Sequence, residues 1–412
     1  MFNKTFIATL LLAFSVAANP VVVKRSPVSL PISRRLNLTG VHNLVLHDQV
    51  RAKTLKARGT AKAAGIPFEN APVVSSSVTN QAVTYIAVVG VGSPPTSFDL
   101  LVDTGSSNTW VGATTPFKKT STTGTTPNKV AVTYGSGSFS GTEFTDLVAI
   151  TPGLSISGQS IGVASTSTGF QGVDGILGIG PVDLTLGTLS PATNTLIPTV
   201  TDNLFTTGTI PAHSIGISFE PTITGDDQNG EITWGGVDTS KFTGAITSIP
   251  VTKTSPSSEF WGIDASVQYG TTTILATTAG IVDTGTTLVL IATNAFTKYK
   301  TSTGGVVDNA TGLLRVTTAQ FNALKNLAFV TTGGVSFSLS PNAQIWPRSL
   351  NVDIGGIASR IYLIVADLGT PSGEGFDFVA GFAFLERFYS VFDTASNTVG
   401  FAATPFTTAT SN

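Results

Sequence analysis

The sequence predicts a mostly β protein built from two similar lobes. The 412-residue chain has only 11% charged residues, and short runs rich in Val, Ile and Phe alternate with Gly, Ser and Asn. This pattern is typical of many short strands joined by turns. The tripeptide Asp-Thr-Gly occurs twice, at Asp103–Gly105 and Asp283–Gly285, which are 180 residues apart. Because a chain of this length can form two lobes, the repeat indicates a duplicated unit.

The context of the two tripeptides points to acid–base chemistry. Each copy follows an aliphatic run and precedes hydroxyl residues. A buried strand that ends at an acid and turns through Gly places one carboxylate at the base of a cleft, and duplication brings Asp103 and Asp283 face to face. Two close carboxylates have pKa values that are forced apart, so that one proton is shared and a water can be activated. One copy alone would say little, because short motifs are common at ordinary turns.

Composition excludes several other kinds of site. Cysteine is absent, which removes thiol nucleophiles, disulfides and thiolate metal sites. Two of the three histidines, His42 and His47, fall in a segment that we expect to be removed, so that only His213 remains. One histidine cannot form a multi-His zinc site, and no Gly-x-Ser-x-Gly elbow accompanies it for a serine triad. We therefore expect no metal and no cofactor, and we interpret His213 as a structural residue beside a strand.

The first 18 residues are typical of a signal peptide. Lys4 supplies a positive charge, Phe6–Val16 is apolar, and small residues at 16–18 form a cleavage site. Neither this run nor any later one is long enough to span a bilayer, and the C-terminus is polar. We expect a secreted, extracellular protein without a membrane anchor, with an acidic vacuole or similar lumen as the less favoured alternative.

Residues 19–70, which we call the leader, differ in charge from the rest of the chain. The leader has nine basic and two acidic residues, whereas the chain from residue 71 has 12 basic and 22 acidic ones. This asymmetry predicts a propeptide that docks electrostatically and is released at low pH as carboxylates become protonated. A basic linker or nucleic-acid arm is the alternative. It is disfavoured because the charges form no continuous run and Leu44–Leu46 can pack.

The boundaries of the precursor follow from the same asymmetry. Lys24-Arg25 and Arg34-Arg35 are candidate dibasic processing sites, and maturation is expected near Asn70. Residues 71–248 and 249–412 are then the predicted N-terminal and C-terminal catalytic lobes. Segments with helical periodicity are few. The best are Thr293–Lys300 and Thr318–Leu327, with Thr293 and either Thr317 or Thr318 as N-caps.

Several motifs in order resemble one family. From Tyr85 the chain reads YIAVVGVGSPPTSFDLLVDTGSSNTWVGA. This closely resembles the N-terminal lobe of pepsin-like aspartic proteases, and most of all their cysteine-free, secreted fungal members. The resemblance extends from about Val83 to Ala402. It implies a bilobal pepsin-like fold, with two pseudo-symmetric β lobes around a central cleft, and an aspartic endopeptidase made as a zymogen.

The resemblance assigns supporting roles to the residues after each aspartate, which are Thr104, Gly105 and Ser106 in the first copy and Thr284, Gly285 and Thr286 in the second. The threonines would lock the two loops together through backbone hydrogen bonds. The glycines allow the tight turn. The following hydroxyls would bond the outer carboxylate oxygens.

A Gly-rich turn between two strand patterns, Val132–Ser138, predicts a hairpin with a flexible tip. By resemblance it is the flap that closes over a substrate, and its flap and substrate-binding residues are Tyr134, Gly135 and Ser136. At the position of Ser136, some fungal relatives carry an acid, and that acid favours a substrate Lys in the pocket. This chain has no acid at that position. We therefore expect a preference for bulky apolar side chains, with Leu101, Val173 and Ile176 joining Tyr134 as the walls of the pocket before the scissile bond.

Two further segments, Asp174–Gly180 and Phe378–Gly381, resemble the strands that cross behind the two aspartates of the family. Animal pepsins usually carry an acid directly after the glycine that corresponds to Gly381, where this chain has Phe382. The difference lies outside the aspartate pair and affects local packing rather than the chemistry.

The partners follow from the implied activity. We expect protein and peptide substrates bound in extended form, pepstatin-type inhibitors and the chain's own propeptide, with no nucleic acid, no membrane and a monomeric enzyme. Asn309-Ala310-Thr311 is a candidate glycosylation sequon.

Two alternatives are weaker. A pepsin-fold protein that binds without cleaving would usually have lost an aspartate or a flap residue. A carbohydrate-binding wall protein would suit the Ser/Thr richness, but it explains neither the repeated motif nor the basic leader.

Overall fold

A computed structural model describes residues 26–36, 43–66, 83–135, 137–225 and 227–412. The predicted signal peptide, the Lys24-Arg25 pair and Ser136 lie outside these residues.

Strands dominate the described chain, as the composition predicts. In chain order they are β1 (Val28–Leu36), β2 (Val83–Val91), β3 (Thr96–Asp103), β4 (Trp110–Val111), β5 (Gly124–Tyr134), β6 (Gly137–Thr151), β7 (Leu154–Thr168), β8 (Gly175–Gly178), β9 (Leu189–Ser190), β10 (Ser214–Phe219), β11 (Asp227–Trp234), β12 (Thr243–Pro250), β13 (Gly262–Tyr269), β14 (Thr272–Val282), β15 (Val289–Ile291), β16 (Val306–Val307), β17 (Leu314–Val316), β18 (Leu327–Thr331), β19 (Ser336–Leu339), β20 (Ile361–Leu363), β21 (Val365–Asp367), β22 (Phe378–Ala380), β23 (Phe388–Asp393) and β24 (Thr398–Ala403).

The helices are fewer and mostly short. They are α1 (Leu44–Ala63), α2 (Val200–Thr206), α3 (Thr293–Thr303), α4 (Thr318–Asn322) and α5 (Phe382–Leu385), with 3-10 turns at Val182–Thr185, Ser257–Glu259, Asn342–Gln344 and Arg348–Leu350.

The strands form three sheets. The largest has the order β12-β24-β23-β10-β11-β1-β2-β3-β8-β4-β7-β6-β5-β9, the second is β19-β18-β13-β14-β22-β15-β21, and the third is β16-β17-β20. Most buried apolar side chains belong to one continuous core that reaches from Leu30 to Phe401. A smaller apolar cluster lies beside the first Asp-Thr-Gly loop.

The first part of the leader is a strand inside the large sheet. On one side β1 pairs antiparallel with β11, from Val28 opposite Trp234 onward, and on the other side it pairs with the start of β2. Arg34 is buried within this strand, where it lies 3.8 Å from Glu386 and donates to the backbone oxygen of Thr222. The Arg34-Arg35 pair is therefore enclosed in a sheet, which makes it a poor processing site while the protein is folded.

The second part of the leader is the 20-residue helix α1, which the sequence analysis did not predict. It begins after Asn43, whose side chain accepts a hydrogen bond from the backbone of Leu46. One face is buried, and near its C-terminal end Gly59 lies so close to Phe260 and Pro256 that an added Cβ would come within 2.8–2.9 Å of them. This contact brings the helix directly against the body of the protein.

Two helix predictions were partly wrong. Helix α3 begins at Thr293, but its N-cap is Ala292, because the Thr293 hydroxyl donates to Asp367 on a neighbouring strand instead of capping the helix. Helix α4 has Thr317 as its N-cap, in a capping box with Gln320. It ends at Asn322 rather than Leu327, since Leu327 starts β18 and pairs with Leu339.

Candidate active site

Both Asp-Thr-Gly loops start at the end of a strand in the same local arrangement. β3 runs parallel to β8, with Asp103 opposite Gly178, and β14 runs parallel to β22, with Val282 opposite Ala380. In each half a third short strand, β4 or β15, then pairs antiparallel with the crossing strand. The two segments expected to cross behind the aspartates therefore do so, and they set the backbone position of both carboxylates.

The two threonines join the loops in a reciprocal pattern. The backbone N–H of Thr104 donates to the hydroxyl of Thr284 at 3.0 Å, and the backbone N–H of Thr284 donates to the hydroxyl of Thr104 at 3.0 Å. Each hydroxyl in turn donates to the other half, to the carbonyl of Val282 at 3.2 Å or of Val102 at 3.0 Å. Four buried hydrogen bonds thus fix the distance between the two loops.

Each carboxylate is also held by its own loop. For Asp103, the Gly105 N–H donates to Oδ1 at 2.9 Å and the Ser106 hydroxyl to Oδ2 at 2.6 Å. For Asp283, the corresponding bonds come from Gly285 at 3.1 Å and from the Thr286 hydroxyl at 2.5 Å.

The two glycines are required by the closeness of the loops. A Cβ on Gly105 would lie 2.6 Å from the Asp283 carboxylate, and one on Gly285 would lie 2.8 Å from the Asp103 carboxylate. Any larger residue would therefore push the two acids apart.

A leader arginine lies between the two acids. Arg51, on α1, donates through Nη2 to Asp103 Oδ1 at 2.7 Å and to Asp283 Oδ1 at 2.9 Å, and through Nε to Asp283 Oδ2 at 2.8 Å. All three side chains are at most 2% exposed. From the sequence alone, Arg51 was only part of the leader charge. One sequence signal could have identified it: Arg51 is a basic residue in a leader segment whose polar and apolar residues follow helical spacing.

The surroundings shift the two pKa values in opposite directions. Burial raises the pKa of Asp103, and the charge of Asp283 adds to this, while Arg51 opposes it. Burial also acts upward on Asp283, but Arg51 and the Thr286 hydroxyl bring its pKa below the ordinary value. The difference is consistent with two Arg51 hydrogen bonds to Asp283 and one to Asp103. The pKa of Arg51 rises, although burial opposes this, because both carboxylates favour its charge.

The predicted flap is a hairpin that lies over the leader helix. β5 and β6 pair with Tyr134 opposite Gly137. A Cβ on Gly135 would come within 2.1 Å of the Arg51 Cα, so the hairpin tip touches the α1 backbone. The Tyr134 ring is buried against Phe170 at 5.4 Å, and its hydroxyl has no hydrogen-bond partner among the described residues.

The four predicted pocket-wall residues lie in one apolar cluster. Leu101, Tyr134, Val173 and Ile176 are each at most 6% exposed and belong to the smaller cluster beside the first aspartate loop. The cluster also contains side chains that the sequence analysis did not single out for this role: Ile86, Trp110, Val130, Val132, Phe139, Phe170, Leu189 and Ile197.

Other predicted positions lie away from the two aspartates. Asn309 is exposed in a turn, and the hydroxyl of Thr311 in the same sequon is buried against Asp308. His213 binds Asp202 at 2.8 Å and stacks on Phe205. Among the described residues no group of three or more His, Cys, Asp or Glu side chains could hold a metal ion. No helix in the described part of the chain has both the length and the apolar character needed to cross a membrane.

Comparisons with known proteins agree with this geometry. Residues 84–404 match the family model for eukaryotic aspartyl proteases. The chain is 62% identical over 339 residues to polyporopepsin from Irpex lacteus, covering 82% of this chain and 99% of that one. It is 32% identical over 340 residues to cathepsin E from Rattus norvegicus, covering 77% of this chain and 79% of that one.

A solved structure agrees with the fold. The crystal structure of an aspartic proteinase from Irpex lacteus superimposes with a TM-score of 0.80 at 54% identity, covering 94% of this chain and all of that chain. The predicted bilobal β fold is therefore confirmed. Repeated aspartate loops, a flap-like hairpin, the family match and the close relatives agree, and we conclude that the chain is an aspartic endopeptidase belonging to the pepsin-like eukaryotic aspartyl protease family.

Proposed function

We propose that the chain is the precursor of a secreted acid endopeptidase in which Asp103 and Asp283 form the catalytic dyad. The observation that carries this proposal is the spacing of the two carboxylates, which is small enough for one guanidinium group to bond both. Two buried carboxylates this close repel each other when both are ionised, so one of them is protonated when no cation lies between them. They then titrate as a pair, and activity falls as both become ionised.

In the proposed reaction the ionised aspartate accepts a proton from a bound water. The water oxygen attacks the scissile carbonyl carbon, while the protonated aspartate donates a hydrogen bond to the carbonyl oxygen. The resulting gem-diol collapses as the dyad transfers a proton to the leaving nitrogen, and the C–N bond breaks. The reciprocal threonine bonds support this function because they keep the two carboxylates at a fixed distance throughout.

The leader is proposed to keep the precursor inactive. The Arg51 guanidinium lies where the water and the scissile bond would have to bind, and the Gly135 tip closes over the helix that carries it. The Arg51 charge acts to lower the pKa of both carboxylates, and for Asp283 the net pKa lies below the ordinary value. Protonation of either carboxylate removes the charge that Arg51 binds, so the ion pairs that hold the leader are lost as the pH falls. Acid therefore favours release of the leader.

The substrate preference is proposed to be apolar. Leu101, Val173, Ile176 and Tyr134 belong to one buried apolar cluster beside the first aspartate loop, and apolar walls of this kind would favour a bulky apolar side chain next to the scissile bond. Gly135 and Ser136 would contact the substrate backbone from the flap.

The remaining features of the proposed precursor concern its processing and state. We propose that residues 1–18 are a signal peptide and that 19–70 are removed, leaving lobes at 71–248 and 249–412 in a monomeric enzyme. Asn309 is a candidate for glycosylation because it is exposed.

The test is acid activation of the purified precursor at about pH 3 to 4, a range below the usual carboxylate pKa values. Hydrolysis of a denatured protein is then measured with and without pepstatin, for the original chain, for Asp103→Asn and for Asp353→Asn as a control on a turn of the second half. We expect pepstatin-sensitive hydrolysis that Asp103→Asn alone abolishes. A folded and correctly trimmed chain that cleaves nothing would contradict the proposal and favour a binding protein.

A further inference from the structure

A second leader arginine, Arg58, is buried on the same face of α1 as Arg51. The two residues are seven positions apart, which is about two helical turns or about 10 Å along the axis. Arg58 is 6% exposed, and its Nη2 atom donates to the backbone oxygen of Leu184. Both arginines therefore face the body of the protein.

The acids near Arg58 are already paired with other cations. Among the described residues no carboxylate lies within ion-pair distance of its guanidinium. Asp183, next to Leu184 in sequence, lies 3.7 Å from Lys62, and Asp103 is paired with Arg51. Burial lowers the pKa of Arg58; Tyr134 and Asp103 oppose this, and the like charge of Arg51 adds to it.

Arg58 also borders an open cavity of about 470 Å³ in the half of the protein that contains the flap. The rest of the lining comes from the body: β5 and β6, Ser165, and Leu186–Ser190. Its polar side chains are hydroxyls and the ammonium group of Lys129, and no carboxylate lines it. On this wall Arg58 therefore faces neutral groups and another cation, whereas a second cavity beside Arg58 is lined by Asp183 together with its partner Lys62.

We propose that Arg58 is an uncompensated cation that weakens the docking of the leader and so makes the leader easier to release. This inference rests on the proposed zymogen function, since it concerns the stability of the same docked helix. Arg58 is 6% exposed and reaches water only along the open cavity, so its charge loses part of its hydration without gaining an ion pair, whereas Arg51 gains two. The two arginines therefore have opposite effects on docking: Arg51 holds the helix in place and Arg58 loosens it.

The test is hydrogen–deuterium exchange of the α1 amides in the full-length precursor at pH 7, where exchange reports opening of the helix and requires no proteolysis. Arg58→Met keeps the aliphatic stem and removes the charge. We expect its α1 amides to exchange about tenfold more slowly than in the original chain, because the cost of burying the charge is gone. Arg51→Met is the matched control, and it should accelerate exchange because two carboxylates lose their cation.

A variant in the body of the protein tests the same idea from the other side. Leu186 is 44% exposed and lines the cavity together with Arg58. Leu186→Glu supplies the missing acid, so it should slow α1 exchange in the original chain and lose that effect in the Arg58→Met background. The double mutant also separates pairing with Arg58 from a general effect of the added charge.

The outcomes separate this inference from the proposed function. Faster exchange in Arg58→Met would overturn it, since Arg58 would then stabilise docking. Equal exchange would overturn it as well. As a second readout, Arg58→Met should require a lower pH for leader loss than the original chain. If no variant cleaves any protein, the endopeptidase proposal fails, while the exchange result still decides the role of Arg58.

Discussion

The two aspartate loops are near copies of each other, but the leader contacts them unequally. Both loops are held by the same backbone and hydroxyl donors and by reciprocal threonine bonds. Arg51, however, makes two hydrogen bonds to Asp283 and one to Asp103, and the flap tip closes on α1 from the first half. Duplication thus accounts for the symmetric support of the two acids. The asymmetry comes from two elements that occur once, the helix α1 and the flap hairpin.

The largest expected effects come from the aspartates themselves. Asp103→Asn and Asp283→Asn should each lower kcat/KM of the trimmed enzyme by at least about a thousandfold, since each removes one partner of the proposed proton transfer. In the precursor, hydrogen exchange of α1 at pH 7 should distinguish them. Asp283→Asn should speed exchange more, because two of the three Arg51 bonds end on that carboxylate. Equal exchange in the two variants would mean that the number of Arg51 hydrogen bonds to each aspartate does not determine how strongly the leader docks.

The reciprocal threonines should behave as equals. Thr104→Val and Thr284→Val each remove two buried hydrogen bonds between the halves, and each should lower the free energy of unfolding by about 2–4 kcal/mol. Urea unfolding followed by tryptophan fluorescence measures this, with Thr104→Ser and Thr284→Ser as controls that keep the hydroxyl. A large difference in the free energy of unfolding between the two valine variants would show that the symmetric hydrogen bonds contribute unequally to stability.

Glu143, a buried acid of the first half, should make the stability of the protein depend on pH. Glu143 on β6 is 2% exposed, one carboxylate oxygen accepts from Ser160 at 2.6 Å, and the other has no partner among the described residues. Burial raises its pKa to about 7, only partly offset by the Ser160 hydrogen bond.

The sign of the effect follows from the raised pKa of Glu143. The folded protein keeps the proton up to about pH 7, whereas the unfolded chain loses it near its ordinary value of about 4.3. Stability should therefore fall by about 3 kcal/mol as the pH rises through this window. Glu143→Gln should remove most of that slope. Thermal unfolding at pH 4, 5, 6 and 7 measures it, and an unchanged slope in the variant would assign the pH dependence to other groups.

The smallest expected effects concern the two glycine contacts of the leader. Gly135 of the first half touches α1 at Arg51, and Gly59 of α1 touches Pro256 and Phe260 of the second half. Gly135→Ala and Gly59→Ala should each weaken docking by about 1–3 kcal/mol, as overpacking commonly does. Faster exchange of α1 in the full-length chain is the measurement. Gly333→Ala is a control, because the only atom within 4 Å of an added Cβ there is the Thr331 hydroxyl oxygen, at an ordinary contact distance of 3.7 Å. If Gly135→Ala is neutral, the hairpin tip can move away from the helix.

The site could be predicted from sequence largely because its elements are local repeats. An aliphatic run, an acid, a glycine and a hydroxyl are contiguous, so Asp103 and Asp283 with their supporting residues were recognisable in both halves. The apolar cluster beside the first aspartate loop was found only in part. Trp110 reaches the same cluster by pairing with Ile176 across strands, and Phe170 reaches it from the loop between β7 and β8, and no local pattern reveals either placement.

The leader was the least predictable region, for physical reasons. Its charge balance indicated docking, but the partner of each charge depends on distant parts of the chain, as Arg51 and Arg34 illustrate. Tertiary contacts also overrode local signals at helix ends. Thr293 has a good capping side chain, yet its hydroxyl bonds Asp367, and Leu327 has helical spacing but joins a sheet.

The position of β1 has a consequence for synthesis of the chain. One edge of β1 pairs with β2, but the other waits for β11, which is made roughly 200 residues later, or roughly 10–40 s at ordinary translation rates. During that interval the nascent chain carries an open strand edge, a known template for wrong pairing. Ribosome-bound fragments that end before Trp234 should therefore need chaperones more than those that extend beyond it.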